Sequence, residues 1–387
     1  MISERAKKIG ESITLAITAN AKKMKKNGED VVIMASGEPD FDTPEHIKNA
    51  GIEAIKSGFT KYTTTSGIDE LKQAICEKYK RDLDLVYEPS QVIVTVGGKQ
   101  ALFNLFLSII NPGDEVIVFR PYWVSYLEQI GFAGGVPILA ELSECVENPE
   151  LLKKYITPKT KAVLFNFPSN PSGYVIPENI LEKFTDIAIS NDLYIVSDEV
   201  YEKFIYDGLV FKSPASFSEK SKEKTIIINA LSKTYSMTGW RVGFALGAKD
   251  VIKAMGAIQG HQTSNVCSIA QKAGVVALTS SQDCVKNMVE EFAKRRAYMF
   301  ERLSAIDKIK IDKPMGAFYM FPDVSAFYGG KVKNSFDFCS CLLNEEKVAI
   351  IPGIGFGADN HVRLTYSASM EDIKKGMDRF EHFCKNL

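Results

Sequence analysis

Short, continuous apolar runs alternate with helix-length segments along this chain, and no other feature constrains its fold as much. The runs at 91–96, 115–119, 161–165, 193–197, 225–229 and 242–246 are rich in Val, Ile or Phe, and most lead straight into Gly, Pro, Asn or Asp. Strands that are apolar at successive positions have both faces buried. They predict a mainly parallel sheet sandwiched by helices. Helical segments fill the gaps. Residues 101–110 end at the stop signal Asn111-Pro112-Gly113. Residues 177–191 carry Ile180, Leu181, Phe184, Ile187 and Ala188 at helical spacing.

The pattern changes near residue 285. A long helix is predicted over 290–306, with Arg295, Arg296 and Arg302 on its polar side. Shorter strands follow at 317–321 and 348–351, then a last helix from Met370. The expected architecture is α/β in three parts. An N-terminal arm with part of a small domain spans 1–45, a large domain 46–285, and a small α+β domain 286–387. At 387 residues the core needs no disulfide or metal to hold it.

The 47 basic and 48 acidic side chains leave a net charge of −1, which argues against the basic face of a nucleic-acid binder. No apolar run reaches the roughly 18 residues of a membrane span. Neither nucleic acid nor membrane is an expected partner. The seven cysteines are odd in number and include no C-x-x-C pair, as in a reducing compartment. Cys339 and Cys341 read as core residues on one face of a strand. The four histidines show no metal-ligand spacing, so no metal is expected. Lys7 and Lys8 precede no apolar signal region, and Glu4 and Glu11 do not suit a transit peptide. A cytoplasmic protein is expected.

Gly353-Ile354-Gly355-Phe356-Gly357-Ala358 matches a dinucleotide fingerprint, but the chain runs on into a strand-like segment at 362–366. The fingerprint must open a helix, so this reads as a glycine-rich strand connection. Gly97-Gly98-Lys99 is better placed, between a strand and a helix, where free backbone N–H groups suit a phosphate. Three further segments end predicted strands: Asn166 to Gly173, Asp198-Glu199-Val200-Tyr201, and Ser232-Lys233. Ligands of open α/β sheets bind at the carboxyl ends of strands. Each residue alone suits a cap or turn; an amide, an acid, a phenol and an amine together suggest a site. Lys233 has mostly apolar or small neighbours, and a lysine in such a pocket loses its proton and becomes a nucleophile. Arg241 is a candidate phosphate partner. Arg363, between Val362 and Leu364, faces either solvent or a carboxylate ligand.

In this order, these residues resemble the class I aminotransferases, the aspartate aminotransferase-like pyridoxal-phosphate enzymes. The resemblance covers nearly the whole chain. It includes Ala35-Ser36-Gly37-Glu38-Pro39-Asp40-Phe41, Lys61-Tyr62, Thr95-Val96-Gly97-Gly98-Lys99-Gln100-Ala101, Pro121-Tyr122-Trp123, Asn170-Pro171-Ser172-Gly173, Asp198 to Tyr201, Ser232-Lys233 through Gly239-Trp240-Arg241-Val242-Gly243, and Val362-Arg363-Leu364. It implies the type I pyridoxal-phosphate transferase fold and a ping-pong transamination. Lys233 then holds pyridoxal 5'-phosphate covalently and moves the substrate proton. Asp198 pairs with the ring nitrogen. Tyr201 and Asn170 reach the ring oxygen, and Trp123 stacks on the ring. The backbone of Gly98 and Lys99, with Arg241, holds the phosphate. Tyr62 reaches the phosphate of a neighbouring subunit, which implies a homodimer with shared sites.

On the substrate side the resemblance gives Arg363 the α-carboxylate and Gly37 a backbone contact, with Trp123 and Asn170 beside them. Lys99 and Thr14 match the residues that recognise an acidic side chain in one bacterial subgroup, so aspartate and 2-oxoglutarate are the expected pair. Two departures stand out. Ala230 replaces the Ser or Thr of many relatives, which implies slightly weaker phosphate binding. Gly10 stands where many prephenate-using relatives have a lysine. Prephenate or aromatic transamination, and lyase chemistry, remain alternatives. A transcription-regulator role is disfavoured, because the family pattern leaves no room for a fused DNA-binding domain.

Overall fold

The computed structural model describes residues 2, 3, 7, 10 and 13–387, and of residues 13–15 only the backbone. Strand β1 (Val32–Ile33) precedes a seven-stranded main sheet. That sheet holds β2 (Val92–Thr95), β3 (Glu115–Arg120), β4 (Val136–Glu141), β5 (Thr160–Asn166), β6 (Tyr194–Asp198), β7 (Thr225–Ala230) and β8 (Gly243–Leu246), in the order β2-β8-β7-β6-β5-β3-β4. All six apolar runs become strands of this one sheet. The alternation of side chains sends them to the two faces of the sheet and into different cores. Ile226 and Ile228 of β7 pack with Phe106, Val118 and Met255, whereas Ile227 packs with Tyr79, Val94 and Phe244.

β4 carries no clear signal in the sequence. It is an edge strand with an exposed Val136 and with Pro137 inside it, and proline is tolerated in a sheet only at such an edge. β8 runs antiparallel to both β2 and β7, while the other pairs are parallel. This reversal puts the start of β8 beside the carboxyl ends of its neighbours, with Gly243 paired to both Thr95 and Ala230. Arg241, which precedes β8 in sequence, therefore reaches the edge where the other strands end.

Beyond residue 280 the helix Asp283–Ser304 leads to β9 (Tyr319–Met320), β10 (Val348–Ala349), β11 (Ile351–Pro352) and β12 (Val362–Thr365). β10 pairs in parallel with β1, and β11-β12-β9 form an antiparallel sheet. Their shared core is aromatic: Phe292, Phe318, Phe338, Tyr366 and Phe380 are fully buried. The last helix runs over Met370–Lys385 as expected.

Four expectations change here. The run at 348–351 is two strands, because the chain changes partner from β1 to β12 after Ala349. The strand expected at 317–321 shortens to β9, since Ala317 sits at φ 55°, outside any extended conformation. Arg295 and Arg296 are buried rather than on a solvated face. Arg295 donates to Asp40 at 2.7 Å and to the Ala368 carbonyl at 2.6 Å, and Arg296 bonds Asp207; paired charges can be buried. Cys339 and Cys341 lie on the helix Ser335–Glu346, where Cys339 is buried and Cys341 only half-buried. The glycine-rich segment at 353–358 is a turn between β11 and β12, as read from the sequence. Among the described residues no helix is long and apolar enough to cross a membrane, and no three or more His, Cys, Asp or Glu side chains are grouped as they would be to hold a metal ion.

Candidate active site

The carboxyl edge of the sheet opens into a cavity of about 390 Å³. Its wall includes Gly37, Gly98, Lys99, Trp123, Asn170, Asp198, Tyr201, Lys233, Arg241 and Arg363. Ten of the twelve site residues expected from sequence thus meet in one place. Tyr62 is not among them: it is 92 % exposed on the outer surface. Thr14 lies on the helix Ile13–Lys26, and its side chain is outside the described residues.

Lys233 is carried by the one-turn helix Leu231–Thr234 that follows β7. Its Nζ donates to the Gly37 carbonyl. Burial pulls the ammonium down to about 8; nearby Arg241, Arg363 and Lys99 act the same way, and Glu38 opposes them. About a tenth of this amine is therefore unprotonated at pH 7, far more than of an ordinary lysine, as a nucleophile requires.

Asp198 ends β6 and is buried. Desolvation pushes its carboxyl up to about 6, against a 2.6 Å hydrogen bond donated by the Tyr126 hydroxyl. An acid kept in so dry a place is best satisfied by a cationic partner. Asn166 donates to the Asp198 carbonyl at 3.2 Å and accepts from the Asn170 N–H at 3.0 Å, which ties the ends of β5 and β6 together. The Tyr201 and Tyr319 hydroxyls lie 2.7 Å apart, and burial holds the Tyr201 phenol well above its usual range.

The helix Gly97–Ile109 begins directly after β2, and its first N–H groups have no intrahelical acceptor. Gly97 has φ 75°, and a Cβ there would meet Arg241 Nη2 at 2.5 Å. The guanidinium thus lies against the bare backbone of the turn. Two amides and an arginine converging at a helix N-terminus make an anion cradle. Ala230 lines the cavity beside it and offers no hydroxyl.

Arg363, on β12, is buried, so the solvent-facing alternative falls. It donates to Asn170 Oδ1 at 2.8 Å and to the Ala35 carbonyl at 3.0 Å, and it lies 4.4 Å from the Tyr319 ring centroid. Its Nε is buried with no partner among the described residues. Such an orphaned donor, on a charge with no acid paired to it among the described residues, fits a carboxylate ligand. Lys99 stands 4.8 Å over the Trp123 ring, and burial followed by the Arg241 charge lowers its pKa.

An amine, a buried acid, an anion cradle and an aromatic wall are the donor set that pyridoxal phosphate needs, and the residues present fit it. The sequence profile of the family "Aminotransferase class I and II" matches residues 29–380. The chain belongs to that family. It is a pyridoxal-phosphate-dependent aminotransferase. Among its relatives is a protein of Bacillus sp. (strain YM-2) named aspartate aminotransferase, 46 % identical, with 100 % of this chain and 99 % of the relative covered. A Thermus thermophilus protein named aspartate/prephenate aminotransferase is 43 % identical, covering 98 % and 97 %. The solved aspartate aminotransferase of Rhizobium meliloti superposes with a TM-score of 0.95 at 39 % identity, covering 100 % and 99 %. That of Thermus thermophilus with maleate gives 0.93 at 43 %, covering 99 % of each chain.

Three side chains of this aminotransferase site escaped the sequence reading. Tyr126 lies three residues beyond Trp123, at the start of the helix Ser125–Phe132, yet only the folded chain joins it to Asp198. Asn166 opens a segment that the reading quoted without giving it a role. Tyr319 stands in a strand that the sequence indicated without marking this tyrosine as part of a site, and it is found through its contacts with Tyr201 and Arg363.

Proposed function

We propose that this aminotransferase moves the amino group of L-aspartate to 2-oxoglutarate, giving oxaloacetate and L-glutamate, as a cytoplasmic homodimer. The observation that carries the reading is the pair of cations beyond the cofactor's needs. Arg363, with its orphaned Nε, suits the carboxylate that every amino acid carries. Lys99, over Trp123, suits a second one. Relatives named aspartate aminotransferase across the full length support it, as does a neighbour whose structure holds maleate, a dicarboxylate. The seven free thiols suit a reducing compartment. An exposed Tyr62 that stays out of its own cavity suits a role at the partner's phosphate.

In this reading Gly98, Lys99 and Arg241 bind the phosphate, Trp123 stacks on the ring, and Asn170 and Tyr201 bond the ring oxygen. Asp198, held by Tyr126, keeps a proton on the ring nitrogen. Bound this way, pyridoxal phosphate supplies an electron sink for the pair left when the substrate Cα–H bond breaks. Arg363 fixes the α-carboxylate, and Asn170 and Ala35 fix Arg363 in turn. The distal carboxylate is assigned to Lys99 and, from the family resemblance alone, to Thr14, and the Gly37 carbonyl holds the Lys233 amine beside Cα. Lys233 Nζ takes the proton from the donor's Cα in the first half-reaction and returns one to the product's Cα in the second. Only one substrate is needed for each half, which gives ping-pong kinetics. The arm and part of the small domain (1–45), the large cofactor-binding domain (46–285) and the small domain (286–387) frame the site.

The test is the visible spectrum of the cofactor-loaded enzyme with L-aspartate alone. Loss of the visible band is expected, and Lys233→Ala should fail to hold the cofactor covalently and lose at least about 10²-fold in turnover. A band that ignores aspartate but responds to tyrosine or alanine overturns the substrate. Prephenate is the second acceptor to assay, since several relatives carry it in their names.

A further inference from the structure

Five cationic side chains line the cavity among the described residues, namely Lys22, Lys99, Lys233, Arg241 and Arg363, against two acids, Glu38 and Asp198. The proposed function occupies four of the cations. Lys233 holds the cofactor, Arg241 its phosphate, Arg363 the α-carboxylate and Lys99 the distal carboxylate. Asp198 serves the ring nitrogen, and Glu38 accepts a 2.8 Å hydrogen bond from Thr238. Lys22 is left over.

Lys22 is carried by the helix Ile13–Lys26, one turn beyond Thr18, which also lines the cavity. Positions four apart share a helix face, so this face borders the opening. Lys22 itself is exposed and forms no ion pair among the described residues, although it shares the cavity with Glu38. Elsewhere on the surface many lysines are paired: Lys48 with Glu45, Lys56 with Glu53, Lys153 with Glu150. A cation at this rim adds to the positive field that incoming carboxylates meet. It raises the local concentration of incoming anions and acts on encounter and affinity more than on chemistry.

We propose that Lys22 is a specificity-determining residue at the cavity mouth, which draws in the distal carboxylate of dicarboxylic amino and oxo acids. The inference rests on the proposed function and extends its substrate recognition to the N-terminal helix. Lys22 plays no part in proton transfer. Its contribution is that of an exposed charge pair: modest, screened by salt and confined to substrates with two carboxylates.

The experiment compares Lys22→Ala, Lys22→Arg and Lys22→Glu with the wild-type holoenzyme, using aspartate and alanine as donors. Lys22→Ala should raise KM for aspartate and for 2-oxoglutarate about two- to fivefold, leaving kcat and the KM for alanine unchanged. Lys22→Arg should restore the wild-type values, and Lys22→Glu should raise the aspartate KM further. Added salt should lower kcat/KM for aspartate more steeply in wild type than in Lys22→Ala. Equal KM changes for both donors, or none with aspartate, overturn the inference while wild-type turnover of aspartate leaves the proposed function standing. A wild-type enzyme that does not transaminate aspartate takes down both.

Discussion

Glu199 follows Asp198 in the chain but does not line the cavity. Its carboxylate accepts hydroxyl hydrogen bonds from Ser197 at 2.9 Å, from Ser213, and from Tyr79 at 3.3 Å. Tyr79 in turn accepts from Asn229, whose Oδ1 takes the N–H of Ala230, three residues before Lys233. The side chain is completely buried, and desolvation drives it up to about 8 from 4.5 despite these donors. The sign follows directly. Between those two values the folded protein holds a proton that the unfolded chain releases, so stability falls as pH rises through that window. Glu199→Gln cannot titrate. Thermal unfolding of the variant should therefore decline less between about pH 5 and 8 than that of wild type; parallel curves would rule out the raised pKa. None of this is visible in the sequence, where Glu199 reads as one more acid in a strand-end motif. Lys233 and Asp198 were legible as candidates because position at a strand end is local information, and the family resemblance supplied the roles proposed for them.

At the scale of elements, the join between β8 and the turn at Gly97–Gly98 decides whether the anion cradle exists. A Cβ on Gly243 would meet the Gly97 carbonyl carbon and the Gly98 nitrogen at 2.3 Å each. Those are backbone atoms, which cannot swing aside as a side chain can. Gly243→Ala must push β8 and the helix start apart, at a cost of about 1–3 kcal/mol. It should also speed loss of pyridoxal phosphate, as measured by dialysis against buffer. Gly239→Ala, where nothing lies within 4 Å, serves as control. A Gly243→Ala protein with wild-type melting temperature and cofactor retention would show that the cradle does not depend on this contact. The glycines themselves stand out in the sequence. The reason for Gly243 does not, since it follows from β8 running backwards.

At the scale of the whole molecule, a shared site makes a prediction that a monomer cannot satisfy. Lys233→Ala and Tyr62→Ala each spoil a different component. In a hybrid dimer, one site receives Lys233 from one chain and Tyr62 from the other, both intact. Mixing equal amounts of the two variants under subunit exchange should restore cofactor affinity in one site of each hybrid dimer, about a quarter of all sites; no recovery would break the shared-site reading. The chain's own residues fixed six of the seven strands of the main sheet, because burial on both faces leaves an unbroken apolar run that no neighbour is needed to interpret. They also marked Gly98, Lys99, Asn170, Asp198, Tyr201 and Lys233 as candidates, because each ends such a strand or follows it within a few positions. Only the tertiary structure decided the rest. It set the direction of β8, the edge strand with Pro137, and the burial of Arg295 and Arg296. It also chose the partners that tune the site: Tyr126 with Asp198 across 72 positions, Tyr201 with Tyr319 across 118, and Arg363 with Ala35 across 328. A buried polar group is stable only beside its partner, and a partner so far along the chain is supplied by the fold alone.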